Sequence, residues 1–238
     1  MTEHDEIASG LWLRRGAVPG ALADYRLAAF DMDSTLISIE CIDEIADAVG
    51  RKAEVAAITA AAMRGEITDF KDSLRRRLAL LAGVPAQALQ TVYDERLRIN
   101  PGVPEFIDAC RAAGVKTLLV SGGFTFFSER VQARLGMDFA RANLLEIEGG
   151  VLTGRLRPQA WGEIVDGAEK RRTLLQTAGL LGATPAQCIA VGDGANDLPM
   201  MAAAGLSIAF HAKPAVRAQA TVAVDSGGLD RALAVLSR

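Results

Sequence analysis

Three short strand-like runs in this 238-residue chain end in polar clusters. Leu27-Ala28-Ala29-Phe30 leads into Asp31-Met32-Asp33-Ser34-Thr35. Residues 115–120 lead into Ser121-Gly122-Gly123-Phe124, and residues 188–191 lead into Gly192-Asp193-Gly194-Ala195-Asn196-Asp197. Helical patterns separate these runs. A βαβα order of this kind predicts an α/β fold with a doubly wound, mainly parallel sheet. In such sheets ligands bind beyond the carboxyl ends of the strands, where the clusters should gather.

One interval breaks the alternation. From residue 39 to about 100 the pattern is helical throughout. Ile42, Ile45, Ala46 and Val49 fall on one helix face before Gly50, and a second helix is expected over 52–64. Leu74, Leu78 and Leu81 line a third helix, and Pro85 opens a fourth carrying Leu89, Val92 and Tyr93. That is too much helix for a single crossover, so it is read as an inserted helical cap over 39–100. The α/β core then comprises 26–38 and 101–238. Residues 1–25 show no clear periodicity and form an extension. Later, Gly149-Gly150 closes a predicted hairpin, and helices are expected over 166–181, 198–204, 214–219 and 228–237.

Composition narrows the function. Half the residues are hydrophobic and the net charge is −3, which argues against nucleic-acid and membrane-surface binding. The longest apolar run, 200–210, is interrupted by Gly205 and Ser207 and falls short of the ~20 residues a membrane span needs. The acidic start lacks a signal-peptide pattern. Cys41, Cys110 and Cys188 are widely spaced in apolar surroundings, which favours reduced, buried thiols and a cytoplasmic protein. A homodimer is left open.

Asp31 is placed to attack phosphorus as a carboxylate nucleophile, and Asp33 to serve as general acid and then base. A turn or helix cap explains Asp-x-Asp-Ser-Thr equally well when the motif stands alone. Ser121 and the N–H groups beside Gly122 and Gly123 can hold phosphate oxygens at a helix N-terminus, or Ser121 can simply cap that helix. Lys170 can balance the charge, although Glu169-Lys170-Arg171-Arg172 also reads as a solvated face. Asp193 and Asp197, four apart after a strand, suit an oxygen-liganded Mg²⁺.

Together the Asp31–Thr35, Ser121–Phe124 and Gly192–Asp197 strings, with Lys170 and Glu40-Cys41-Ile42-Asp43-Glu44-Ile45-Ala46, are specific. From about Leu27 onward the chain resembles the haloacid dehalogenase-like (HAD) phosphatases. Within them it is most similar to the members that act on phosphoserine. The resemblance implies a HAD-like Rossmannoid core and Mg²⁺-dependent hydrolysis of a small molecule, O-phospho-L-serine, to L-serine and phosphate. This is the last step of serine biosynthesis, and it proceeds through an aspartyl-phosphate. It implies that Asp31, Asp33 and Lys170 are catalytic. The metal would be held by Asp31, the Asp33 backbone carbonyl and Asp193, with Asp197 supporting the metal water or Lys170. Ser121, Gly122 and Lys170 would hold the phosphoryl group, and Asn196 would contact phosphate or substrate. Glu40 would take the serine ammonium and Arg77 its carboxylate, while Met63 and Phe70 shield the pocket.

The residue types agree independently, since a zwitterion needs one acid and one base, and arginine grips carboxylates bidentately. The spacing alone leaves Arg75, Arg76 and Arg77 undistinguished. His4 and His211 stand apart from the motifs, Trp12 and Trp161 are read as packing residues, and Lys213-Pro214 has no assigned role. The Gly-Asp-Gly-x-Asn-Asp string also occurs in P-type ion pumps, but those carry Thr where Asp33 stands and have membrane helices. Transfer to another alcohol such as homoserine, cleavage of another small phosphoester, and a non-catalytic phospho-ligand sensor are the competing readings.

Overall fold

The computed structural model describes residues 4–63, 69–162 and 164–236, apart from the side chains of residues 60, 62 and 63. The chain begins with a hairpin, β1 (His4–Ala8) and β2 (Leu11–Arg14), followed by β3 (Leu27–Phe30). Four helices come next: α1 (Cys41–Ala48), α2 (Lys52–Met63), α3 (Phe70–Ala79) and α4 (Gln87–Glu95). Then α5 (Val103–Ala112), β4 (Lys116–Phe124), α6 (Thr125–Leu135), β5 (Phe139–Glu148) and β6 (Val151–Arg157) alternate. The chain closes with α7 (Gly167–Leu180), β7 (Cys188–Gly192), α8 (Leu198–Ala203), β8 (Leu206–Phe210), α9 (Pro214–Gln219), β9 (Val222–Val224) and a 3₁₀ segment, Leu229–Val235.

The strands take the order β1-β2-β9-β8-β7-β3-β4-β5-β6. From β9 to β5 every pairing is parallel, and the hairpins at the two edges are antiparallel. β3 has no polar residue because both of its faces are covered. Ala28 and Phe30 point into one core with Phe106, Phe127 and the cap residues Ile45 and Leu74. Leu27 and Ala29 point into the other, with Leu174, Ala178 and Met200. Phe30 meets Phe106 edge-on, with ring centroids 5.9 Å apart, and each ring contributes roughly 2–3 kcal/mol by burial.

Helices α1–α4 lie between β3 and β4 in the chain, and the two strands of backbone leading to and from them are tied together. Ser38 N–H donates to Arg98 O at 2.9 Å, and Asn100 N–H to Leu36 O at 2.9 Å. The Asn100 side chain donates to Thr35 O at 2.8 Å and to Ile37 O at 3.1 Å. The β5–β6 hairpin also reaches this helical unit. Gly83 N–H donates to Leu152 O and Leu152 N–H to Val84 O, both at 2.8 Å.

Two local expectations change. Residues 4–14, read as part of an aperiodic extension, form a hairpin whose Leu11, Trp12 and Leu13 pair with Val224, Ala223 and Val222. It was illegible because β1 is an outer edge strand, mostly exposed, with no alternating apolar face. The expected helix over 228–237 is a 3₁₀ helix over Leu229–Val235. Leu229, Ala232 and Val235 are buried at three-residue intervals, which a 3₁₀ turn stacks on one side.

Candidate active site

Phe30 pairs with Leu119 on one side and Val191 on the other, so the end of β3 lies beside the end of β7 and beside β4, which runs on past it through Ser121 to Phe124. β3 is the switch point: chain order leads to β4 on one flank and to β7 on the other. Asp31 is the next residue. Its N–H donates to Val191 O at 3.0 Å, which sets the buried carboxylate at the sheet's carboxyl edge. Lys170, on the first turns of α7, is fully buried and reaches both Asp31 Oδ1 and Asp197 Oδ1 at 2.6 Å. Asp197 Oδ2 accepts N–H groups of Asp193 at 3.1 Å and Gly194 at 3.0 Å. This close fold-back requires glycine at 192, where a Cβ would lie 2.5 Å from the Asp197 carboxyl carbon. Thr35 Oγ1 donates to Asp193 Oδ1 at 3.2 Å.

Carboxylate oxygens of Asp31, Asp193 and Asp197 come within 4.8 Å of one another. Burial, and then the charge of Asp197, push the Asp31 pKa well above the ordinary carboxylate value, while Lys170 opposes them. Asp193 is pushed up to about 6 by burial, and next by Asp197. Burial by itself lowers the Lys170 pKa, but Asp197 and Asp31 together raise it above the usual lysine value. Three acids against one ammonium leave excess negative charge among hard oxygen donors, which fits a divalent cation.

Asp33 faces another way. Its Oδ2 accepts the Cys41 N–H at the start of α1, at 3.2 Å, and its Oδ1 is buried without a hydrogen-bond partner. Burial, and then Glu40, push its pKa up to about 7, so it can give and take a proton near neutrality. Ser34, the residue after Asp33, sits at φ 58°, a left-handed conformation that is uncommon for a residue with a Cβ. Its hydroxyl donates to Glu40 Oε1 at 2.7 Å and so links the strand end to the cap.

A cavity of about 780 Å³ joins these groups to the cap. Asp31, Asp33, Ser121, Gly122, Asp193 and Asn196 line its core side; Glu40, Asp43, Phe70 and Arg77 line its cap side. On α3, Arg75 and Arg76 are exposed and Arg77 is turned inward. Arg77 Nε and Asp43 Oδ1 are both buried without hydrogen-bond partners. Burial lowers the Arg77 pKa and raises that of Asp43, and each charge opposes the other's shift. Lys71 and Asp166 form a cap-to-core ion pair at 3.0 Å.

The family model for haloacid dehalogenase-like hydrolases matches residues 28–202. The chain belongs to the haloacid dehalogenase-like hydrolases. It is 65% identical over 227 residues to the phosphoserine phosphatase of Albidiferax ferrireducens, covering 95% of this chain and 96% of that protein. Two solved structures superpose with TM-scores of 0.81. One is a phospho-aspartyl intermediate analogue of phosphoserine phosphatase, 37% identical, with 88% of this chain and 98% of that one covered. The other is a substrate-bound phosphoserine phosphatase complex, 36% identical, with 88% and 97% covered.

In this haloacid dehalogenase-like hydrolase, Asp31, Asp33, Glu40, Phe70, Arg77, Ser121, Gly122, Asp193 and Asn196 share one cavity, and Lys170 lies beneath it. The side chain of Met63 is outside the described residues. Ser121 does not cap α6. It lies within β4, and its Oγ accepts the Gly123 N–H at 2.8 Å. The histidines stay away from the site: His4 bonds to Ala220 O and His211 to Gly227 O. Trp12 stacks with Arg217 and Trp161 with Arg141. Lys213, left without a role in the sequence, lines the cavity. Its N–H donates to Asp193 O at 3.1 Å, and its charge opposes the rise in the Asp193 pKa. The Ala-Lys-Pro string was the available signal. Thr35 and Asp43 stood inside quoted motifs without an assigned function. Among the described residues no helix is long and apolar enough to cross a membrane.

Proposed function

We propose that this chain hydrolyses O-phospho-L-serine to L-serine and phosphate, with Mg²⁺ as cofactor. The observation that carries this reading is the two-ended cavity: Ser121, Gly122 and Asn196 line it with Asp31 at one end, and Glu40 and Arg77 line it at the other. The phosphoserine phosphatase relatives, one solved as a phospho-aspartyl analogue and one with substrate, support it.

Asp31 attacks phosphorus, forming an Asp31–phosphoryl bond as the ester P–O bond breaks. Asp33 gives its proton to the departing serine oxygen. The same Asp33 then takes a proton from water as that water attacks the phosphoenzyme, which releases phosphate and restores Asp31. Lys170 holds Asp31 and offsets charge on the phosphoryl oxygens; Ser121 and Gly122 orient them. Asp31, Asp193 and the Asp33 backbone carbonyl would hold Mg²⁺, which when bound would supply positive charge where three anionic groups meet. Glu40 receives the ammonium and Arg77 the carboxylate, which satisfies the buried Nε. The three free, buried thiols fit a reducing cytoplasm.

A phosphate-release screen of phospho-amino acids, phosphoethanolamine and sugar phosphates, with and without Mg²⁺, tests the assignment. Mg²⁺-dependent preference for phosphoserine is expected. Phosphoserine left intact while other esters are cleaved overturns the substrate, and formation of O-phosphohomoserine with added homoserine would make the enzyme a phosphotransferase.

A further inference from the structure

Asn143 was not singled out by any motif, yet it is fully buried, and both ends of its side chain are used beside the last residues of β4. Its Nδ2 donates to Gly122 O at 2.8 Å, and its Oδ1 accepts the Val165 N–H at 2.8 Å. A carbonyl at one end and an N–H at the other fix the orientation of the amide. Gly122 and Val165 are themselves close, since a Cβ on Gly122 would come 3.3 Å from Val165 O. Val165 immediately precedes Asp166, whose side chain caps α7 by accepting the Glu169 N–H at 2.8 Å, and Lys170 is one residue further along that helix. One side chain therefore ties the 121–123 stretch at the end of β4 to the entry of the helix that carries Lys170.

We infer that Asn143 is a positioning residue for the phosphoryl end of the substrate; this rests on the reading that Ser121, Gly122 and Lys170 hold that group. The Gly122–Gly123 peptide has little steric preference of its own and is free to flip. By holding Gly122 O, Asn143 keeps that carbonyl from turning its lone pairs toward an anionic phosphoryl group. The same peptide plane directs Gly123 N–H onto Ser121 Oγ. With its lone pair taken, the Ser121 hydroxyl has its proton left to donate to a phosphoryl oxygen. At its other end, Asn143 sets the spacing between this end of β4 and Lys170.

Two variants separate the two bonds. Asn143→Asp keeps an acceptor for Val165 N–H but loses the donor to Gly122 O. Asn143→Leu loses both while keeping the same branched outline. The inhibition constant for inorganic phosphate, and KM and kcat for phosphoserine and for p-nitrophenyl phosphate, are measured alongside thermal melting and the half-saturating Mg²⁺ concentration. In Asn143→Asp, phosphate inhibition weakens at least tenfold and KM rises by similar factors for both esters, while the Mg²⁺ requirement stays within threefold. Unchanged phosphate inhibition in a folded Asn143→Asp protein overturns the proposal, as does an effect confined to phosphoserine. Amide hydrogen exchange on the unmodified protein covers the case of misfolded variants: Gly123 N–H is protected before phosphate is added, and protection that develops only with phosphate overturns the preset loop. Because p-nitrophenyl phosphate and inorganic phosphate carry no amino-acid end, these measurements stand even if phosphoserine is not the substrate.

Discussion

On the core side of the cavity the charged groups already hold one another. Asp31, Lys170 and Asp197 form a chain of 2.6 Å contacts, and backbone N–H groups take up the remaining Asp197 oxygen. On the cap side, Arg77 Nε and Asp43 Oδ1 are equally shut from water but have no hydrogen-bond partners. A buried unpaired polar atom costs about 1–3 kcal/mol. The core half is thus organised before substrate arrives, as electrostatic stabilisation of a transition state requires. The cap half carries a cost that a zwitterion can relieve, and this is where discrimination between substrates should arise. Asp33 Oδ1 is the exception on the core side, buried without a partner; in the proposed mechanism this group exchanges a proton with substrate and water, so its oxygens cannot be fully engaged.

The comparison breaks most readily at Asp31. Asp31→Asn should lower kcat by about 10⁴-fold or more, since no other group can form the covalent bond, while circular dichroism shows the fold retained. Wild-type turnover in the Asp31→Asn protein would sink the nucleophile assignment. Arg77→Ala should act on binding and on one substrate class. KM for phosphoserine should rise about 100-fold, the worth of charged hydrogen bonds of ~3 kcal/mol, with far less change for phosphoethanolamine, which lacks a carboxylate. Equal effects on both would remove Arg77 from the pocket.

A smaller effect should appear in stability. Asp33 at about 7 and Asp193 at about 6 hold their protons more tightly when folded than when unfolded. Their contribution is therefore greatest below the ordinary carboxylate pKa and is lost as pH rises through 6–7. Metal-free protein should lose melting temperature from pH 5 to pH 8, and added Mg²⁺, which binds the ionised acids of the folded state, should raise it more at pH 8. An equal Mg²⁺ shift at both values contradicts this. The smallest effect belongs to Lys71→Ala, which removes a partly exposed cap-to-core ion pair. Such pairs are worth about 0–1 kcal/mol, so KM should rise no more than roughly fivefold with kcat unchanged; a loss in kcat alone would show that the pair does not serve to hold the cap on the core.

Sequence by itself determined the mainly parallel α/β core and the acids near Asp31. These follow from local signals: an apolar strand, a turn and a carboxylate lie within a few residues, and parallel strand ends bring such clusters together. The β1–β2 hairpin escaped because an exposed edge strand has no face to pattern. Which of Arg75, Arg76 and Arg77 turns inward was decided only by tertiary structure. Three successive arginines point in three directions around a helix, and which one turns inward depends on how α3 meets its neighbours. Asn143 and Lys213 likewise reach the site through the strand arrangement and the loops that it brings together. Their roles depend on contacts with residues distant in the chain, and no spacing along it records those contacts.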